Sequence, residues 1–193
     1  YLETVREIVH QKMDALKKLS LSEQNDKAKY FEMLPEQSPL KVKYHQFLRA
    51  TDAEELALLE RELTDAMRPG SIDVNIMTKL DRINVTKNGT PLSDEYSDAK
   101  AALRGYANSS LQSSLVLSAG LNQGLFNYMA KFRDFYRDET GEIKKKIVLK
   151  VSDFRSAFIQ GKILAKKGLE VHEFRIESGL NCGGHLFASN GYL

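Results

Sequence analysis

The residues best suited to chemistry lie near the carboxyl end of the chain, in Glu177-Ser178-Gly179-Leu180-Asn181-Cys182-Gly183-Gly184-His185. Glycines at 179, 183 and 184 let backbone N–H groups approach an anion or a ring without side-chain clash. Asn181 and His185 add side-chain donors, and an imidazole can serve as a general base near neutral pH. The plainer alternative is a glycine-containing turn with a surface histidine. Cys182 is the chain's single cysteine. It could be a nucleophile or a redox thiol, but the reading taken is a small filler beneath the loop. His10, His45, His172 and His185 lack zinc-ligand spacing, so no metal site is expected.

Three further segments end in small or hydrogen-bonding residues: Asn75-Ile76-Met77-Thr78-Lys79, Ser118-Ala119-Gly120-Leu121-Asn122 and Lys150-Val151-Ser152-Asp153. Each follows a stretch that reads as a strand. Lys150 closes an apolar run and can face a site as a cation or extend to solvent. Asn75 can serve a ligand or satisfy a strand-end backbone group.

The elements that must position these groups follow from periodicity. Residues 1–70 read as wholly helical. Leu2, Val5, Ile8, Val9 and Met13 form one apolar stripe. Residues 20–26 break that helix, and Met33-Leu34-Pro35 ends a second. Leu40, Val42, Tyr44, Phe47 and Leu48 suggest a third. Thr51-Asp52-Ala53-Glu54 reads as a capping box opening a fourth helix with Leu56, Leu58, Leu59 and Leu63, which Pro69-Gly70 stops.

From Ser71 the pattern alternates strand and helix. Strands are expected at Ile72–Ile76, Ser114–Ser118, Lys146–Val151 and Val171–Ile176. Residues 79–92, with Asn88-Gly89 and Pro91, read as a loop. A helix over residues 93–108 should turn Tyr96, Ala99, Ala102 and Leu103 inward. Another covers residues 121–132, and residues 134–141 form a polar excursion. The last helix, capped by Ser152 or Asp153, should bury Phe154, Ala157, Phe158, Gly161, Leu164 and Ala165. Gly161 costs about 1 kcal/mol relative to Ala inside a helix, which close approach to a sheet would explain. Gly168 suits a left-handed helix end.

This order implies parallel strands with right-handed crossovers. The expected fold class is α/β: a partial (β/α)8 barrel over residues 71–193, preceded by an all-helical segment, residues 1–70, serving as insertion, lid or subdomain. Glu173, Arg175 and Glu177 share one face of the last strand, which a strand buried on both faces would not carry. Either they pair within a polar barrel interior, or the strand lies at an edge.

The chain has 193 residues, 42% hydrophobic and 28% charged, and a net charge of +2. That balance offers no strong field for nucleic acid or an anionic membrane. No apolar run approaches the ~20 residues of a membrane span. The expected compartment is cytoplasmic, and the expected partners are a small-molecule substrate, the remainder of a parent barrel and a second copy in a homo-oligomer. The chain reads as a segment of a larger protein.

The order strand, Gly179, three residues, Gly183-Gly184-His185 resembles the nitronate monooxygenases (2-nitropropane dioxygenases) and the related flavin-type enoyl-acyl-carrier-protein reductases. Asp73-Val74-Asn75 is similar to their Gly-Val-Asn strand end, and Leu117-Ser118-Ala119-Gly120 to their Ser-Phe-Gly turn. The resemblance spans about residues 71–188. It implies an FMN-binding (β/α)8 barrel and an oxidoreductase activity. It carries over Asn75, Gly120, Ser178 and Gly179 as flavin-site residues, Gly183 and Gly184 as backbone contacts, and His185 as the base that removes a proton beside the nitro group. Ser178 and Asn181-Cys182 depart from that family's usual Gln or Glu and Glu-Ala, which bears on the substrate more than on the flavin.

Leu149-Lys150-Val151-Ser152-Asp153 with Glu177-Ser178-Gly179 also resembles the FMN domain of glutamate synthases, which implies a flavin contact for Lys150. A phosphate-binding barrel of aldolase type, with Lys150 as its amine, and a catalytically silent scaffold stand beside these readings.

Overall fold

The structure is a computed structural model that describes residues 1–76, 81–118 and 120–177. The chain divides into two compact units, with the boundary between Gly70 and Ser71.

The first unit holds α1 (Leu2–Lys17), α2 (Asp26–Glu32), α3 (Pro39–Arg49) and α4 (Ala53–Ala66). Its core gathers Leu21, Phe31, Tyr44, Phe47, Leu59, Leu63 and Met67. The rings of Phe31 and Tyr44 stack with centroids 5.4 Å apart. Helix ends leave carbonyls without intrahelical partners, and two buried lysines satisfy several of them. Lys27 Nζ donates to Leu19 O at 2.7 Å and Lys17 O at 3.3 Å, beyond and within the end of α1. Lys41 Nζ donates to Glu32 O at the end of α2. The expected capping box is replaced by a simpler cap. Asp52, not Thr51, is the N-cap, its carboxylate accepting from Glu55 N–H at 2.9 Å. Either residue type caps well, and Asp is the stronger.

The second unit holds β1 (Asp73–Ile76), α5 (Asp98–Ala107), β2 (Ser113–Leu117), α6 (Gln123–Met129), β3 (Lys145–Val151), α7 (Phe154–Ala165) and β4 (Val171–Ile176). The four strands are parallel and lie in the order β1-β2-β3-β4. The fold is therefore α/β, with a four-stranded parallel sheet.

Alternate strand residues face one helical layer. Ile76, Leu115, Leu117, Ile147, Leu149 and Val151 share a core with Ala99, Leu103 and Tyr106 of α5, Phe126 and Met129 of α6, and Leu164 of α7. Register slips by one residue between Ile147–Val171 and Val148–Glu173. The extra residue, His172, lets Val171 keep to the core while Glu173 joins the opposite face.

Several expectations change here. Ser97 breaks the helix expected over residues 93–108, leaving a 3₁₀ turn, Asp94–Tyr96, before α5. Tyr96 is therefore 55% exposed and Ala102 is exposed, whereas Ala99 and Leu103 are buried. Helix α7 buries Leu164 and Gln160, but Phe154 is 83% and Phe158 57% exposed. Both rings line an apolar groove of about 540 Å³ beside Phe174 and Ile176 of β4. Gly161 matches its expected role: a Cβ there would meet Phe174 Cζ at 3.1 Å. Gly168, at φ +73°, ends α7 with Leu169 N–H donating to Leu164 O and Gly168 N–H to Ala165 O, a Schellman closure.

Candidate functional site at the carboxyl edge of the sheet

The face turned away from the helical layer carries charged and polar residues around two buried valines, Val116 and Val148. Strand alternation assigns to it Asp73 and Asn75 of β1, Ser114 and Val116 of β2, Lys146, Val148 and Lys150 of β3, and Glu173 and Arg175 of β4. Glu177 follows β4, and its backbone N–H donates to Val151 O at the end of β3.

This face is strongly curled. Arg175 Nη2 lies 3.4 Å from Asp73 Oδ2, linking the first strand to the fourth. Three inter-strand steps would separate those strands by about 14 Å in a flat sheet. The register adds four residues along the strand, since Asp73 aligns with Lys146 through Ser114, and Arg175 aligns with Lys150. That is about 13 Å more. Only a sheet that twists and closes toward this side can bring the two side chains together. Arg175 Nε also donates to Glu173 Oε1 at 2.9 Å.

At the carboxyl edge, Lys150 Nζ meets Glu177 Oε1 at 2.8 Å, with side chains 17% and 18% exposed. Ser118, one residue beyond β2, is buried. Asn75 lies on the same face and is exposed. Gly120 stands in the turn after β2, just before Asn122, whose side chain accepts from Leu125 N–H at 2.9 Å and starts α6. Asp153 caps α7 in the same manner, accepting from Ser156 N–H at 2.7 Å. That bond, with a second from the Ser152 hydroxyl, holds its carboxyl below the ordinary range.

Of the residues singled out from sequence, Asn75, Gly120 and Lys150 therefore stand at one edge of one sheet. Ser178, Gly179, Gly183, Gly184 and His185 lie outside the described residues, as do Asn181 and Cys182. Glu177, which the sequence placed among charges that pair in a polar interior or mark an edge, is the partner of Lys150, a pairing the sequence did not name. Its signal was present: a lysine ending an apolar strand, followed one unit later by alternating Glu173, Arg175 and Glu177.

The amino edge of the sheet is built differently. Lys145 is fully buried, donating to Ser109 O at 2.7 Å and to Asp134 Oδ2 at 3.0 Å. Its ammonium lies 5.3 Å from the ring centroid of Tyr106. Burial pushes the Asp134 carboxyl up, but hydrogen bonds from Lys144 and Lys145 outweigh this and hold it below the ordinary carboxylate range. Burial pushes the Tyr106 hydroxyl up to about 12. These groups join β3 to the preceding elements and lie at the end opposite to the one where parallel α/β sheets bind ligands.

Among the described residues, no cluster of three or more His, Cys, Asp or Glu could hold a metal ion. Among them too, no helix is long and apolar enough to cross a membrane. Comparison of the chain with protein-family models, with curated proteins and with solved structures returned no match in any of the three.

Proposed function

We propose that the residues from Ser71 form an arc of a (β/α)8-type barrel that binds FMN at the carboxyl ends of its strands and serves an oxidoreductase of nitronate monooxygenase type. The observation that carries this reading is the sidedness of the sheet. Its strands run in sequential order, its helices pack against one face, and the other face carries the charged and polar residues and is curled. A doubly wound sheet reverses its strand order and carries helices on both faces. A barrel keeps one order and one helical layer, and it turns the remaining face inward. The side of β4 away from β3, with the groove beside α7, is where a following strand and helix would pack in such a barrel.

The described residues fit a flavin at this edge in chemical type. Lys150 offers a cation for the electron-rich end of the ring or for the phosphate, and Asn75 offers an amide that can both donate and accept. FMN, when bound, supplies the two-electron chemistry. The chain's residues bind and orient it. In this reading His185 takes the proton next to the nitro group, and the glycine-rich residues 178–184 provide backbone donors.

The position of Lys150 also supports a second reading, a glutamate synthase-like FMN barrel. It speaks against the aldolase-like reading, since an ammonium paired with a carboxylate has no lone pair to attack a carbonyl. The test is direct. The parent protein, gently purified, should show flavin absorbance bands or acquire them on addition of FMN. Absence of both removes the flavin reading, and borohydride trapping of a Schiff base at Lys150 would replace it with the aldolase-like one.

A further inference from the structure

We infer that Glu177 is the positioning residue for Lys150, fixing its ammonium over the carboxyl edge of the sheet so that it meets the anionic part of the bound ligand. The inference rests on the flavin reading for the identity of that ligand, but its geometric part stands apart from it.

Lys150 sits on the curled face one residue before the end of β3, and its backbone partner on β4 is Arg175. A free lysine at a strand end has four rotatable side-chain bonds and sweeps a wide volume. Glu177, two residues beyond Arg175, removes that freedom with a 2.8 Å ion pair. Both side chains are largely withdrawn from water, where a charge-assisted hydrogen bond is stronger and more directional than at an open surface. The nearby cation does not compete for the same carboxylate, because Arg175 is held by Glu173 and Asp73. The alternating carboxylates of β4 thus divide the labour: Glu173 holds the arginine, and Glu177 holds the lysine. Glu177 also immediately precedes Ser178-Gly179 in sequence, so the lysine is fixed from the strand end next to the glycine-rich segment.

The experiment uses the parent protein, with its whole barrel, and takes two readouts on it and on its Glu177→Gln and Glu177→Asp variants. The first is competitive acetylation by trace acetic anhydride, read by mass spectrometry at Lys150 relative to exposed Lys87. The second is the dissociation constant for FMN, read by quenching of flavin fluorescence. Thermal unfolding confirms that each variant is folded. Loss of a charged hydrogen-bond partner should raise relative acetylation of Lys150 on the order of tenfold in E177Q and weaken FMN binding on the order of tenfold. E177D, which keeps the charge, should fall between E177Q and the parent in both. If Lys150 reacts alike in parent and E177Q, or if E177Q binds FMN as tightly as the parent, the inference is overturned. If the parent itself binds no FMN, the flavin reading fails, and the acetylation result alone decides whether Glu177 positions Lys150.

Discussion

On the same strands, the two faces of the sheet hold opposite kinds of residue. Toward the helices, β3 presents Ile147, Leu149 and Val151, all buried. Toward the curled side it presents Lys146, Val148 and Lys150. The pleat separates stability from chemistry at single-residue spacing. Substitutions on the first face should destabilise the unit, whereas those at the polar positions of the second, as opposed to its buried Val116 and Val148, should leave it folded and alter what it binds.

The largest effect is expected from Leu149→Ala, in the fully buried centre of the sheet. It should cost about 2–5 kcal/mol in denaturant unfolding. A loss below about 1 kcal/mol would mean that the helical layer is not the main source of stability in this unit.

The amino-edge cluster comes next. Asp134→Ala removes the carboxylate that pairs with the buried Lys145 ammonium, which also donates to the Ser109 carbonyl. The expected cost is about 1–3 kcal/mol, and pairing the change with Lys145→Met should recover part of it. Two pH dependences sharpen this. The Asp134 carboxyl is depressed below its ordinary 3.8, so its contribution is present above that pH and fades as pH falls through the lower folded value. Tyr106 runs the other way. Its contribution is complete below the ordinary 10.0 and is lost as pH rises from there toward about 12. Thermal unfolding scans should show an alkaline decline that Tyr106→Phe flattens and an acid decline that Asp134→Asn flattens.

On the curled face, Arg175→Met should cost only about 0–1 kcal/mol, because its partners remain partly solvated. Smallest is Asn75→Ala, with a stability change within about 0.5 kcal/mol. The comparison holds if that silent change nevertheless weakens FMN binding, and it breaks if the two faces respond alike.

Much of the fold was legible in the sequence. The four strands were marked by short runs of β-branched and leucine residues, and α7 was marked by Asp153, Gly161 and Gly168. The misreadings have local causes. Thr51 and Asp52 are both good caps, and sequence does not choose between neighbours. Tyr96 matched the inward spacing of a continuous helix, but Ser97 ends one turn and begins the next. Phe154 and Phe158 fit an inward stripe, yet Gly161 draws α7 onto Phe174 along a different line, and the rings flank the contact instead of filling it. The curl of the polar face was not legible, because the contact between Asp73 and Arg175 depends on twist accumulated over four strands. The charges on β4 showed only that something polar lay there; their pairing with Lys150 and Asp73 required the register.

The most direct test of the central claim is an FMN titration of the parent protein, with its whole barrel, against its Lys150→Met variant, followed by flavin fluorescence, with thermal unfolding as the control. The account predicts that the parent binds FMN and that Lys150→Met binds it at least about tenfold more weakly while unfolding at nearly the same temperature. Equal FMN affinity in two equally folded proteins would contradict it.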